Sequence, residues 1–452
     1  MGIGLVPGII LYIVICAFLI YTFILNDAST SPISHCVTVT IPTYIISLLR
    51  KILGEQNMRK LETLSDYFLV TIYLIIVLGS WSIMFTFGYT FIQKSNHVSN
   101  YHQYSGYCLF VLCMWSWRKA SDTSPGYINS HNLVRFDNYP YDDLLFVGGK
   151  LCPTVGIRKL ARSKYDRCTN RHVARFDHYC GWIHNAVGEE NYRYFLLFLS
   201  VHVGMCAYGT IITLSLFLGE VQDKDLMNAI FYNGKTGQEV QADFWVVFHY
   251  MLMKHFELSA VLLLMAVMAL VLCLFLLFHL YISANGMTTN EFFKWRQVRK
   301  WYKVEVHRYE RALKEGKIDK DGNEVLLSNS TTSSLSTSSA AGTSESTSKK
   351  APLNDVDVGC VGPIHNTGEN THEKEQEEEV MAKVCHPGPF PVNVYNRGIV
   401  ENFKEIIFPR SLRRDALIRL AEARRNGQIP NTKKSSTATA EVVDKRGKPK
   451  ET

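Results

Sequence analysis

Residues Asp177-His178-Tyr179-Cys180, followed at once by Gly181-Trp182, bring a carboxylate, an imidazole and a thiol within four positions. A cysteine is a nucleophile as thiolate, and an adjacent base or positive field produces one. A carboxylate beside the imidazole fixes its tautomer and stabilises its protonated form. The run lies in a polar, arginine-rich stretch flanked by apolar stretches. A reactive thiol at a membrane surface points to chemistry on lipid thioesters or on other cysteines. Four residues alone also fit a loop with one inert buried cysteine and a surface histidine.

The elements that must position these groups are membrane spans. The chain has 452 residues, a net charge of +7 and 47% hydrophobic residues, with apolar blocks alternating with charged ones. That segregation is the mark of a membrane protein with aqueous domains. Its eleven cysteines are scattered, with no closely spaced even set, so a disulfide framework is not expected. Spans are expected near 3–25, 67–92, 101–118, 194–218 and 258–282. The first lacks a basic leader and is longer than a signal-peptide core, so it reads as an uncleaved span. Val6 argues against an N-terminal myristoyl signal. The apolar stretch 244–257 carries Lys254, His255 and Glu257 and reads as an interfacial lead-in, because charges at the bilayer centre are costly. Basic residues crowd 150–193 and 294–303, whereas 219–243 is mostly acidic. The positive-inside rule then gives a lumenal N-terminus with the reactive loop and C-terminus cytosolic.

After about 305 the chain turns polar, and the Ser/Thr-rich stretch 328–350 shows no apolar periodicity, as in a disordered linker. Order is expected to resume at 388–426, where Tyr395, Ile399, Phe403, Ile406, Ile407 and Phe408 can dock on the membrane domain. Arg413-Arg414 and Arg424-Arg425 can touch anionic headgroups or form a solvated face.

Ala161-Arg162-Ser163-Lys164, Val173-Ala174-Arg175-Phe176, Trp182-Ile183-His184-Asn185, Val187-Gly188-Glu189-Glu190-Asn191 and Phe195 surround the thiol. Ser124-Pro125-Gly126 precedes it, and Thr288-Thr289-Asn290-Glu291 and Tyr395-Asn396-Arg397-Gly398 with Asn402 follow it. Together they resemble the DHHC protein S-acyltransferases, with Asp-His-Tyr-Cys in place of Asp-His-His-Cys. Tyr139-Pro140-Tyr141-Asp142 and Gly286-Met287 look most like the yeast spore-wall-formation subgroup. The fold so implied is an all-α polytopic membrane protein of about five transmembrane helices, with a small cytosolic cysteine-rich-domain-like insert between spans three and four. Its expected divisions are 1–118, three helices; 119–193, the catalytic insert; 194–283, two helices; 284–327, the Thr-Thr-x-Glu segment; 328–387, a disordered linker; and 388–452, a docking segment and basic tail.

The resemblance implies that Cys180 takes a fatty acyl group from palmitoyl-CoA and passes it to cysteines of membrane proteins. His178 acts as base, Asp177 orients it, and Thr288 or Thr289 contacts Asp177. Arg158, Lys159, Arg162, Lys164, Arg167 and Arg171 suit the CoA phosphates or anionic lipid. The implied partners are the bilayer, acyl-CoA and transmembrane proteins with juxtamembrane cysteines such as SNAREs, with no nucleic acid. The implied location is the endoplasmic reticulum, and Lys448 and Lys450 resemble a retrieval signal. The family also holds two zinc ions, each with three Cys and one His. The matching positions here read Cys152, Val155, Tyr165 and His172 for one ion, and Asp166, Thr169, Tyr179 and Ala186 for the other. Packing in place of metal is one reading. A single irregular zinc on Cys152, Cys168 and His172, completed by Asp166 or His184, is the other. A catalytically dead membrane adaptor of the same fold is the alternative function.

Overall fold

The structure, a computed structural model, describes residues 35–36, 40–232, 237–316 and 386–429, with backbone alone at 59–66. The expected span 3–25, the linker 328–350 and the lysines near the C-terminus lie outside the described residues. The chain divides into two compact units, 1–82 and 83–452.

In the first unit, α1 (Ile41–Asp66) is interrupted at Gly54. α2 (Phe68–Ile83) follows it. The second unit opens with a π-helical turn, Met84–Gly88, and α3 (Tyr89–Lys94).

In the second unit, α4 (Tyr101–Asp122), α6 (Tyr192–Asp223) and α8 (Phe256–Ala284) form the helical body, with α6 packed against both others. Three described stretches are long and apolar enough to cross a membrane: Phe68–Lys94, Tyr192–Asp223 and Phe256–Ala284. The stretch expected as a span at 101–118 is helical but more polar, and is not one of these three. On α8, Leu263, Leu270, Leu274 and Leu277 are exposed, an apolar surface suited to hydrocarbon. The Tyr208 hydroxyl on α6 bonds His102 and Ser105 on α4. A short helix, α7 (Phe244–Lys254), leads into α8. There two of the three charges expected to keep 244–257 out of the bilayer are paired: Glu220 bonds Lys254 at 2.5 Å and His255 at 2.6 Å.

The insert between α4 and α6 is built from short strands rather than helices. β1 (Tyr127–Ile128), β2 (Lys164–Asp166) and β3 (Arg171–Val173) make an antiparallel sheet in the order β1-β3-β2. β4 (His178–Cys180) and β5 (Asn185–Val187) make a hairpin in which Tyr179 faces Ala186. A one-turn helix, α5 (Leu133–Phe136), lies on the chain between β1 and β2. Val173, Phe176 and Ala186 form the local core, with Tyr127 and Tyr179 against it. Gly188 closes it: a Cβ there would come within 2.6 Å of the Pro125 carbonyl and of Val173. That close approach is why the Ser-Pro-Gly and Val-Gly-Glu-Glu-Asn segments meet without a side chain between them. Asn191 locks the same corner, donating to the carbonyl of Ala186 and accepting from Gly188 N–H.

Beyond α8 the chain turns at Gly286 (φ +66°) and enters α9 (Thr289–Lys314). The left-handed φ, and a Tyr395 carbonyl that would lie 2.7 Å from any Cβ, both call for glycine. Thr288 caps α9 with Glu291 in a reciprocal box, satisfying two otherwise orphaned N–H groups. The C-terminal segment returns here. Asn402 donates to the Ala284 carbonyl, and Tyr395 joins Tyr139, Phe146 and Ala161. α10 (Ile399–Ile407) carries Glu405 inward, and α11 (Arg414–Arg425) packs on α5.

Candidate active site

Side chains in a strand alternate between faces, so the i and i+2 positions of β4 put His178 and Cys180 on one side and Tyr179 on the other. That alternation is the local reason the motif tolerates a changed third residue. Cys180 is buried, and His178 keeps 24% of its side chain exposed. Asp177 is buried beneath them and bonds His178 Nδ1 through Oδ2 at 2.7 Å. Cys180 is close enough to His178 to help hold up its pKa.

Asp177 gathers three donors. Beside His178, Thr289 N–H donates to Oδ1 at 2.7 Å and the Thr289 hydroxyl donates to Oδ2 at 2.8 Å. Thr289 is the first residue of α9, so the helix N-terminus and its dipole also favour the carboxylate. The two threonines thus divide the work: Thr288 caps the helix, and Thr289 holds Asp177. Behind them, Arg162 grips Glu291 with two bonds of 2.7 and 2.6 Å and reaches the Gly286 carbonyl. Glu405 lies 3.5 Å from Arg162 and 3.8 Å from Arg175.

These contacts set the protonation states. Burial alone would raise the Asp177 pKa, but the bond and charge of His178 and the Thr289 N–H hold it below the usual carboxylate range. Burial opposes charge on His178, yet hydrogen bonds to Asp177 and Cys180 hold its pKa up at about 10. At neutral pH the ring is an imidazolium poised against the thiol.

A second imidazole lies behind this pair. His279, fully buried on α8, receives Tyr192 OH or donates to it at Nδ1, 3.0 Å away, and Tyr192 in turn bonds Ser283. Its ring centroid is 5.7 Å from that of His178, among Phe195, Phe275 and Phe278. Its Nε2 has no hydrogen-bond partner among the described residues. Donor atoms of Asp177, His178 and His279 lie within 4.8 Å of one another, close enough to share an ion. Asp177 already accepts three hydrogen bonds, which argues for a hydrogen-bonded hub instead. His279 was not among the residues singled out from sequence. The available signal was its position as the only histidine inside the apolar run 256–284, since an ionisable group within a span is functional by default.

The residues at the zinc positions do not supply a zinc site. Cys152 and His172 are buried, but Val155 is exposed and the Tyr165 hydroxyl bonds Asn170. Cys168 is exposed, and Cys152, Cys168 and His172 do not come together as a three-donor group among the described residues. Burial pushes the His172 pKa down to about 4, so its ring is neutral. At the other site hydrogen bonds and apolar packing stand where ligands would be. Asp166 accepts from Thr169 N–H at 3.0 Å and its hydroxyl at 2.7 Å, Tyr179 OH pairs with His184 at 3.1 Å, and Ala186 is fully buried.

Of the basic set expected on the CoA phosphates, Arg162 needs correction. Arg162 is buried in its pair with Glu291, because its partner, 129 residues away in sequence, folds onto it. Arg158 bonds Asp137, and Arg171 covers the Tyr127 ring. Lys164 lies over Phe176.

Residues 146–296 match the family model described as DHHC palmitoyltransferase. "Palmitoyltransferase ZDHHC4" of Mus musculus is 33% identical over 165 residues, covering 36% of this chain and 48% of that protein. "Palmitoyltransferase SWF1" of Yarrowia lipolytica is 31% identical over 195 residues, 42% of this chain and 48% of that one. "Palmitoyltransferase swf1" of Schizosaccharomyces pombe is 28% identical over 302 residues, 64% and 79% respectively. The chain thus spans about half the length of the mouse and Yarrowia relatives it matches. The matched region takes in the β4–β5 hairpin, the long apolar helices α6 and α8, and the Thr-Thr-x-Glu turn, and over it the chain is similar to the DHHC palmitoyltransferases.

Proposed function

We propose that this chain is a membrane-embedded protein S-acyltransferase that moves a palmitoyl group from palmitoyl-CoA, through an acyl-Cys180 intermediate, to cysteines of membrane proteins. The observation that carries this reading is the convergence of His178 and Thr289 on Asp177, immediately before the strand that holds Cys180. A loop that had lost its chemistry would have no use for three donors on one buried carboxylate.

The Cys180 thiolate attacks the thioester carbonyl carbon, the carbon–sulfur bond to CoA breaks, and His178 gives its proton to the departing CoA sulfur. Acylation removes the hydrogen bond and charge that Cys180 supplied to His178, two of the causes that raise its pKa. The ring is then a neutral base. It takes the proton of the acceptor thiol, whose sulfur attacks the acyl carbon, and Cys180 leaves as thiolate beside the restored imidazolium. Asp177 keeps Nδ1 protonated throughout, so that Nε2 faces the sulfur.

The preferred acceptors are transmembrane proteins with a cysteine at the cytosolic edge, SNAREs among them, and the location is the endoplasmic reticulum. Both follow from likeness to the spore-wall-formation subgroup. The adaptor reading is favoured by one observation, the missing zinc donors. One experiment separates the two: labelled palmitoyl-CoA is offered to the purified chain, wild type beside Cys180→Ala. A hydroxylamine-sensitive label lost in the variant supports the enzyme. No label on folded wild type supports the adaptor.

A further inference from the structure

Away from Cys180, the C-terminal segment and the catalytic insert line an open cleft of about 370 Å³. Four arginines line it, Arg397, Arg410, Arg413 and Arg419, against two carboxylates, Asp137 and Asp415. Both carboxylates are already committed, Asp137 to Arg158 and Asp415 to Arg419. Arg410 is fixed in place: it bonds Glu405 at 2.6 Å and the Asn138 carbonyl at 2.8 Å, and it lies over the Tyr139 ring. Arg413 spends two donors on the Phe408 carbonyl and has no carboxylate partner among the described residues. Arg397 has no carboxylate partner there either. The wall therefore carries excess positive charge, with the Arg410 and Arg413 forks held by the protein itself and Arg397 exposed beside them, an arrangement that suits a phosphate group.

The cleft is at the foot of a membrane span. Arg193, at the start of α6, bonds the Ile407 carbonyl at 2.9 Å. Ile407, Phe408 and Leu412 stand exposed beside the arginines. An apolar ridge next to fixed cations is the pattern of a segment lying in the headgroup layer.

We propose that this cleft binds a phosphate-bearing headgroup, held by Arg397 and Arg413 against the fixed wall of Arg410 and Arg419. Two sources offer that chemistry, a phosphorylated lipid and the phosphates of CoA. The proposal goes beyond the acyl-transfer reading, and its test reads binding rather than turnover.

The full chain in detergent is titrated with fluorescent short-chain phosphatidylinositol 4,5-bisphosphate, with CoA, and with short-chain phosphatidylcholine as control. The expected result is saturable binding of at least one of the first two, weakened about tenfold or more in the double variant Arg397→Ala/Arg413→Ala. Loss of lipid binding in the variant assigns the lipid as source, and loss of CoA binding assigns CoA. A second double variant, Arg299→Ala/Lys303→Ala, removes two exposed cations from α9 and is expected to bind as wild type does. Melting temperatures of both variants control for folding. Binding no tighter than phosphatidylcholine, binding unchanged in the first variant, or an equal loss in the second would each overturn the proposal.

Discussion

His178 is the residue whose state decides the chemistry. Its pKa lies above the ordinary 6.5, so its pairing stabilises the fold fully below that pH and the contribution is lost as pH rises through about 10. Asp177 has the opposite sign: its contribution is present above the usual carboxylate range and is lost as pH falls through its lowered value. Autoacylation of Cys180 is therefore expected to hold steady between pH 7 and 9 and to fall as pH passes about 10. Single-turnover labelling, corrected for uncatalysed thioester hydrolysis, checks this, and a decline centred near pH 7 would contradict it. Asp177→Asn removes the first cause that raises His178 and is expected to bring the decline to lower pH. Thr289→Val deletes one hydrogen bond to a charged carboxylate, worth about 1.5–3 kcal/mol. The autoacylation rate is then expected to fall about 10–100-fold, and the melting temperature to fall with it, because the same bond stabilises the fold. At this scale the sequence was informative about Asp177, His178 and Cys180, because all three lie within one strand-length of chain. It was silent on which threonine faces Asp177. That choice depends on where α9 begins, and a capping box displaces helix bounds by a single residue.

The elements give the insert a core built without metal donors. A small, strand-poor insert lacks enough core to order itself, and the family's metal supplies that free energy. Here β3, β4 and β5 enclose Val173, Phe176 and Ala186, with Tyr179 bonded to His184 across the hairpin turn. The insert is also buttressed from outside, since α10 brings Glu405 to Arg162 and Arg175. A strong chelator is accordingly expected to leave the melting temperature and the autoacylation rate unchanged, with less than one zinc per chain by elemental analysis. A fall in both on chelation, restored by zinc, would show that Cys152 and His172 recruit a metal after all. The reading of these positions as packing rested on their residue types, which a sequence displays. The part played by Arg162 did not show, because its partners lie on α9 and α10, more than a hundred residues downstream. As one of several basic residues it looked like surface, and only the return of the C-terminal segment reveals it as core.

The whole molecule places two faces of opposite charge at the ends of one helix. α6 begins at Tyr192, beside the β4–β5 hairpin, and ends at Asp223 after 32 residues. At 1.5 Å per residue that is about 48 Å, more than the ~30 Å hydrocarbon core of a bilayer. The hairpin of β6 (Ile230–Tyr232) and β7 (Glu239–Gln241) follows that far end, so a membrane crossing by α6 is expected to put it and Cys180 on opposite sides. Positive charge decides which side is which, because segments rich in Lys and Arg are retained in the cytosol. The Cys180 side carries Arg158, Lys159, Lys164, Arg167 and Arg171, whereas the far loop carries Asp223, Asp225, Glu239 and Asp243. The expected topology is thus a cytosolic Cys180 and a lumenal β6–β7 hairpin. Cys168 is exposed on the insert and serves as the reporter. In sealed microsomes a membrane-impermeant maleimide is expected to label wild type more than Cys168→Ser. A glycosylation acceptor placed in the β6–β7 loop is expected to acquire sugar. The reverse pair, a protected Cys168 and a bare acceptor, would invert the orientation and put the nucleophile out of reach of cytosolic acyl-CoA. Cytosolic labelling with a bare acceptor would mean that α6 does not cross, and the apolar face of α8 would then need a protein partner in place of lipid.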